Sequence, residues 1–302
     1  MNMTDSASPP SVATPPINPY LVLAWAVAAV STGAIFARLA DAPALVIAAY
    51  RLGLAAAVIA PVAWWKAGSE LRQLTRRDLQ LTAVSGLFLA VHFATWISSL
   101  DYTSVANSVV LVNTNPLWVG LFMPLVTRER IRPAVAVGIV LSVTGGGIIG
   151  ISDFATGSRA LLGDALALAG SLCMAAYLLL GRNLRKKLSL LAYIFVCYGS
   201  AAVILWALVL ILQLPVSGFS GGTYACFWAM ALFTQLVGHS SYNWALKWLS
   251  AGLIAVSLLG EPIGAAILAY LVFDEGLTWP KFVGGGLILC GIYISAKSEK
   301  AP

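Results

Sequence analysis

Charge is scarce in this chain. Asp, Glu, Lys and Arg make up 10% of its 302 residues, against roughly 25% in soluble proteins. Sixty per cent is apolar, more than a soluble core can enclose. There are two histidines and four cysteines, and Cys173, Cys197, Cys226 and Cys290 lie in apolar stretches without a Cys-x-x-Cys spacing. That excludes a disulfide framework and a zinc site and leaves free buried thiols as the expectation. No Gly-Lys-Ser/Thr phosphate loop is present, so a nucleotide-driven engine is not expected. No His/Cys/Asp cluster has metal spacing, and the polar joints are too short for a soluble catalytic domain. Neither a cofactor nor an enzyme is therefore expected. Residues 1–18 hold no Lys or Arg and so lack the basic start of a secretory signal. They read as a disordered tail, and the first apolar run reads as a retained helix.

What is abundant is apolar sequence in runs of about 20 residues, the length a helix needs to cross a hydrocarbon core of roughly 30 Å. The fold class read from this is an all-α polytopic membrane protein. Ten transmembrane helices are expected at 19–38, 43–65, 79–100, 104–126, 133–151, 160–181, 190–212, 222–246, 250–273 and 280–297. Polar punctuation separates them, including the run Lys66 to Asp78 and Arg132-Pro133. The net charge of +6 is informative through its distribution. Fourteen Lys and Arg fall on one side of the ten spans and three (Arg38, Arg159, Lys281) on the other, with Arg51 inside the second span. Both termini are therefore expected in the cytoplasm, and the basic balance does not call for a nucleic-acid partner.

The chain also repeats itself. Ser104 to Pro116 followed by an apolar run to Glu129 matches Ser250 to Pro262 followed by an apolar run to Glu275, at a shift of 146. The same shift takes Gly138 to Gly284 and Gly145 to Gly291. Two five-helix repeats, 19–151 and 160–297, follow from this. Five is odd, so the second repeat enters the membrane inverted. Inverted repeats around a midplane site are a plan of secondary transporters that work by alternating access.

Several residues stand out as candidates. Pro116 and Pro262 fall mid-span, where proline removes a helical hydrogen bond and kinks or breaks the helix. Asn115 and Glu261 precede them. Glu261 and Arg51 are charges at bilayer depth, costly unless paired or hydrated. Both fall roughly 12–16 Å below the outer boundary at 1.5 Å per residue, which makes an intramembrane pair the natural expectation. Gln235, His239 and Asn243 share one helical face, as do Phe88, His92 and Trp96. These faces are expected to line a cavity, with Trp96, Tyr177 and Tyr242 suited to an apolar or aromatic solute. His92 and His239 are the candidate carriers if transport is proton-coupled. Glu129 and Glu275 read as capping or gating contacts. The runs Gly145–Gly147 and Gly284–Gly286 let helices approach closely and are read as packing within a monomer rather than a dimer seam.

At the two proline segments the chain resembles the EamA family of the drug/metabolite transporter superfamily. Asn115-Pro116 through Glu129 to Gly145 looks like one copy of that family's repeat. Glu261-Pro262 through Glu275 to Gly291 looks like the other, and Arg51 is similar to the family's second-helix arginine. The resemblance implies a ten-helix carrier in the cell inner membrane, with the lipid bilayer and a small-molecule substrate as its partners. It further implies export of metabolites, most like the family's exporters of aromatic amino acids. Asn115 stands where a symmetric pair of sites would have a second glutamate. A nucleotide sugar or a cationic drug as solute, or an integral membrane enzyme, are the other readings considered.

Overall fold

The computed structural model describes residues 15–103, 105–151, 158–274 and 276–298. The expectations for residues 1–14 of the tail and for Ser104 and Glu275 lie outside them. The described residues are helical with no strand among them. The first expected span is α1 (Pro19–Ser31) and α2 (Gly33–Leu39), separated at Thr32. Then come α3 (Ala44–Gln73), α4 (Arg76–Ser99), α5 (Val105–Val112), α6 (Asn115–Val126), α7 (Pro133–Ile151), α8 (Ser158–Arg185) and α9 (Leu190–Ile211). The expected span at 222–246 is α10 (Gly221–Ala229), a π-helical segment (Met230–His239) and α11 (Ser240–Ala245). The chain closes with α12 (Ala251–Leu258), α13 (Glu261–Phe273) and α14 (Trp279–Ser298). Among the described residues, eight stretches are long and apolar enough to cross a membrane, and Pro133–Ile148 is a shorter apolar helix.

Serine and threonine start several helices. Thr75 Oγ1 accepts from Asp78 N at 3.1 Å, Ser189 Oγ from Ala192 N at 3.2 Å and Ser250 Oγ from Leu253 N at 3.1 Å. Each fills one of the four donors a helix start leaves unpaired. The polar run from Lys66 is not the joint that the sequence suggested: α3 runs through it to Gln73. A helix of 30 residues is about 45 Å long, so its charged end projects beyond a core of roughly 30 Å.

Both proline-containing spans are broken. α5 ends before Asn113-Thr114 and α12 before Leu259-Gly260, so Pro116 and Pro262 each become the second residue of a new helix. Proline is well tolerated there because its missing N–H has no helical acceptor. The carbonyl that Pro116 deprives of a helical donor, Val112 O, is met by Asn115 Nδ2 at 3.4 Å. The end of α5 is reinforced by Asn113 Nδ2 donating to Val109 O at 2.9 Å and Thr114 Oγ1 to Leu111 O at 2.7 Å. Glu261 heads α13, where the positive end of the helix dipole favours a carboxylate.

The repeat is visible in the contacts. A Cβ placed at Gly138 would meet Gly291 O, and one at Gly145 would meet Gly284 O. Adding 146 to 138 gives 284, and subtracting it from 291 gives 145, so the two contacts are exchanged by the duplication. Because 138 faces 291 while 145 faces 284, α7 and α14, which correspond in the duplication, run antiparallel. Elsewhere α4 packs on α8 and α9, α3 on α9, and α1 on the π segment and α11. Large apolar side chains such as Leu121, Leu125, Val203, Leu271 and Leu289 remain on the outside, as a surface in lipid requires.

All four cysteines are free, but only Cys197 is buried, and Cys290 is exposed. The expectation of uniformly buried thiols fails because an apolar run does not distinguish a lipid-facing helix side from a protein-facing one.

Candidate functional site

The helix breaks and the π segment converge on a small central cavity of about 20 Å³. Arg51, His92, Asn113, Asn115, His239 and Glu261 form its polar wall, and Val30, Phe93, Trp96, Val112, Met174 and Leu258 its apolar wall. This volume holds about one water, so the centre is occluded.

Arg51 is 1% exposed. Its Nε donates to Gln235 Oε1 at 2.9 Å, and its guanidinium carbon lies 3.9 Å from the centre of the Phe93 ring. Glu261 is 8% exposed, and its Oε2 accepts from Asn113 Nδ2 at 3.2 Å. The two charges share the cavity, but no direct ion pair joins them; each is anchored to a neutral amide instead.

The two histidine rings lie 6.3 Å apart, one from each repeat. His92 is stacked on Trp96 at 6.1 Å, and its Nδ1 is 3.0 Å from Gly170 O. His239 meets Phe93 edge-on at 5.2 Å and Tyr242 at 6.1 Å. Several buried polar atoms here have no protein partner: Trp96 Nε1, Asn115 Oδ1, Gln235 Nε2, His239 Nδ1 and Tyr242 Oη. Such atoms cost free energy unless a ligand or water meets them.

Six of the expected site residues thus line the cavity: Arg51, His92, Trp96, Asn115, His239 and Glu261. Tyr177, Tyr242 and Asn243 do not. They sit in a neighbouring buried layer, where Asn243 Nδ2 donates to Tyr177 Oη at 2.5 Å and to Tyr198 Oη at 3.1 Å. The α-helical spacing that put Asn243 on the cavity face with Gln235 and His239 is interrupted by the wider π turn. Pro116 and Pro262 are buried at the heads of α6 and α13. Asn113 and Phe93 were not among the sequence candidates. Asn113 had a signal, being polar at bilayer depth two residues before Asn115, whereas Phe93 had none.

The cavity is flanked unequally. At the Asp41 end a vestibule of about 650 Å³ reaches Ile47 and Ile97, four residues from Arg51 and Phe93, with Arg38, Asp101 and Lys281 at its rim. Burial raises the pKa of the Asp101 carboxyl above its ordinary value. At the opposite end the Tyr177–Asn243–Tyr198 layer closes the path. Arg185 Nε donates to Asn243 O at 2.9 Å, and Arg185 also donates to Leu188 O. Farther out, Glu129 Oε1 takes Arg182 Nε at 3.0 Å and Lys186 Nζ at 2.9 Å, and Arg182 Nη1 donates to Leu246 O at 2.6 Å. These bonds tie the ends of α6, α8 and α11 together.

Loss of charge-assisted bonds of this kind costs about 1–2 kcal/mol, a factor of about 5–30 in a conformational ratio. Arg182→Met is therefore expected to raise labelling of a cysteine introduced at Ser240 by an impermeant maleimide applied from the Glu129 side, by about fivefold or more. The measurement uses a background without the four native cysteines, and unchanged labelling would mean that the seal does not depend on Arg182.

Comparison with known proteins gives the same picture twice over. The chain matches the EamA-like transporter family over residues 18–151 and again over 161–296. It is 23% identical over 265 residues to the uncharacterized transporter YyaM of Bacillus subtilis, covering 84% of this chain and 85% of that one. An uncharacterized transporter of Archaeoglobus fulgidus is 26% identical, with 84% and 88% covered, and one of Clostridium kluyveri is 25% identical, with 82% and 81% covered. A protein crystal structure with 20% identity superposes with a TM-score of 0.74, covering 92% of this chain and 96% of that one.

Proposed function

The chain belongs to the EamA-like transporter family, a multi-pass membrane transporter and not an enzyme, and from that premise we propose that it exports small metabolites by alternating access. Amino acids, aromatic ones above all, are the proposed solutes, and the cytoplasmic membrane is the proposed location. The ten helical segments then all cross the bilayer with both termini in the cytoplasm. The distribution of Lys and Arg supports this, because it assigns the Glu129 end to the cytoplasm and the vestibule to the outside.

The observation that carries the reading is the central cavity. It joins aromatic rings (Phe93, Trp96, His92, His239) to two opposite charges, closed toward the Glu129 end by hydrogen bonds and separated from the vestibule by about one helical turn. Such a site suits a small solute with an apolar body and a charged end, entering from one side and leaving by the other. The conformation described is then an occluded one poised toward the outside. Arg51 beside Glu261 argues against a purely cationic drug as the solute.

The test is uptake by sealed proteoliposomes of labelled tryptophan or phenylalanine, with and without an imposed pH gradient. Uptake above that of empty vesicles is expected. A response to the gradient would assign proton coupling, with His92, His239 and Glu261 as the groups to vary. No uptake by folded protein present in both orientations would remove the aromatic amino acid assignment.

A further inference from the structure

The way the two buried charges are held is unusual for a structural pair. Arg51 is anchored through Nε alone, to Gln235, and through its flat face, to Phe93. Its two terminal nitrogens make no hydrogen bond to a described residue. Glu261 is anchored through Oε2 alone, to Asn113, and its Oε1 accepts none from a described residue. Both residues line the same cavity. Two opposite charges in one low-dielectric space attract strongly, yet each is restrained by a neutral amide and keeps its remaining polar atoms unused.

Unpaired neutral atoms accompany both charges. On the Arg51 side the spare group is a donor, the Gln235 Nε2, adjacent to the Oε1 that holds Arg51. In the cavity wall that also holds Glu261 there is an unpaired acceptor, the Asn115 Oδ1, from the matching helix start in the other repeat. The cavity thus has a positive pole in Arg51 and a negative one in Glu261, and its wall also carries the unpaired Asn115 Oδ1, Trp96 Nε1 and His239 Nδ1. Apolar groups, with Trp96, Phe93, Met174 and Leu258 among them, fill the wall between and around the poles.

The geometry points to a zwitterion site: Arg51, held by Gln235, takes the carboxylate of an α-amino acid, and Glu261 with Asn115 takes its ammonium group. This rests on the amino acid reading above and adds which groups of the solute are recognised and by which residues. A zwitterion neutralises both buried charges at once. A simple amine would leave Arg51 uncompensated, and a simple acid would leave Glu261 uncompensated, in a site where an unpaired charge is costly. The cavity of about 20 Å³ must widen to admit the solute, and the breaks in the helices put Asn115 and Glu261 at the heads of α6 and α13.

The experiment is counterflow into proteoliposomes preloaded with phenylalanine, measuring labelled phenylalanine against three competitors: phenylalanine, phenethylamine and 3-phenylpropionate. For the wild-type protein each single-charge analogue should compete at least about tenfold more weakly than phenylalanine, since each lacks one charge-assisted anchor. In Glu261→Gln the advantage of phenylalanine over 3-phenylpropionate should vanish while that over phenethylamine remains. Should that variant fail to fold, the wild-type competition decides alone. Phenylalanine carried but matched by both analogues would overturn the zwitterion site and leave the exporter reading standing. No amino acid carried by folded protein would overturn the exporter reading, and the zwitterion site with it.

Discussion

Glu261→Lys should leave no protein that stays folded through purification in mild detergent, and Arg51→Glu should behave in the same way. Each reversal puts two like charges into a cavity of about 20 Å³, where the surroundings are too apolar to screen them. Leaving a buried charge without its compensating partner costs about 3–5 kcal/mol, a large part of a typical stability of about 5–15 kcal/mol. The double reversal, Arg51→Glu with Glu261→Lys, should recover much of what either single change loses. The reason lies in the anchors. Gln235 and Asn113 meet the charges through amides, and a side-chain amide presents an oxygen or an NH₂ according to how it is turned. Recovery should stay incomplete, because Asn113 Nδ2 also donates to Val109 O at 2.9 Å, a bond lost when the amide turns. Size-exclusion profiles and melting curves of the three variants are the check. A double variant as unstable as the singles would show that the charges do not compensate each other across the cavity.

How much of this was legible in the sequence depended on whether a feature was local or repeated. The duplication marked Pro116 and Pro262 together, and proline chemistry foretold a kink or a break at each, although α3 and α6 run unbroken through Pro61 and Pro124. His92 and His239 are 147 residues apart, one more than the duplication's shift, which made them near-equivalents, and the structure places their rings 6.3 Å apart. Asn113 escaped because the duplication pairs it with Leu259, so symmetry gave it no emphasis. Its role appears only when Glu261 of the other repeat is folded against it. The π segment escaped for another reason. Gln235, His239 and Asn243 have the spacing of one α-helical face, and nothing local announces a wider turn. In the fold Gln235 holds Arg51, His239 enters the cavity and Asn243 turns to Tyr177 and Tyr198. Gly238 beside them lies so close to α1 that a Cβ would come within 2.6 Å of a Val30 methyl. The path of this segment is thus decided by its neighbours, which a single helical pattern does not contain.

Gly138→Leu and Gly291→Leu should each lower the melting temperature in detergent, and by similar amounts. A Cβ at Gly138 would lie 2.0 Å from Ser295 Oγ and 2.6 Å from Gly291 O; one at Gly291 would lie 2.1 Å from Ser142 Oγ and 2.6 Å from Gly138 O. A serine hydroxyl can rotate away, but a helix carbonyl cannot, so α7 and α14 must separate. Overpacking of this kind costs about 1–3 kcal/mol, sometimes more, which for a protein of this size is a fall of roughly 3–10 °C. The near-identity of the two environments follows from their facing each other at one crossing, each glycine with a serine four residues on in its own helix, and so does the expectation of equal effects. The double variant should lose less than the sum, because both changes open one and the same helix contact. Gly147 is the control: nothing lies within 4 Å of a Cβ placed there, although it belongs to the same run of three glycines as Gly145. Gly147→Leu should therefore melt within about 1 °C of the wild type, a change within the usual ±0.5 kcal/mol of a substitution away from packed contacts. Equal loss at all three positions would mean that the effect does not depend on the crossing of α7 and α14, since leucine is the better helix former at each of them.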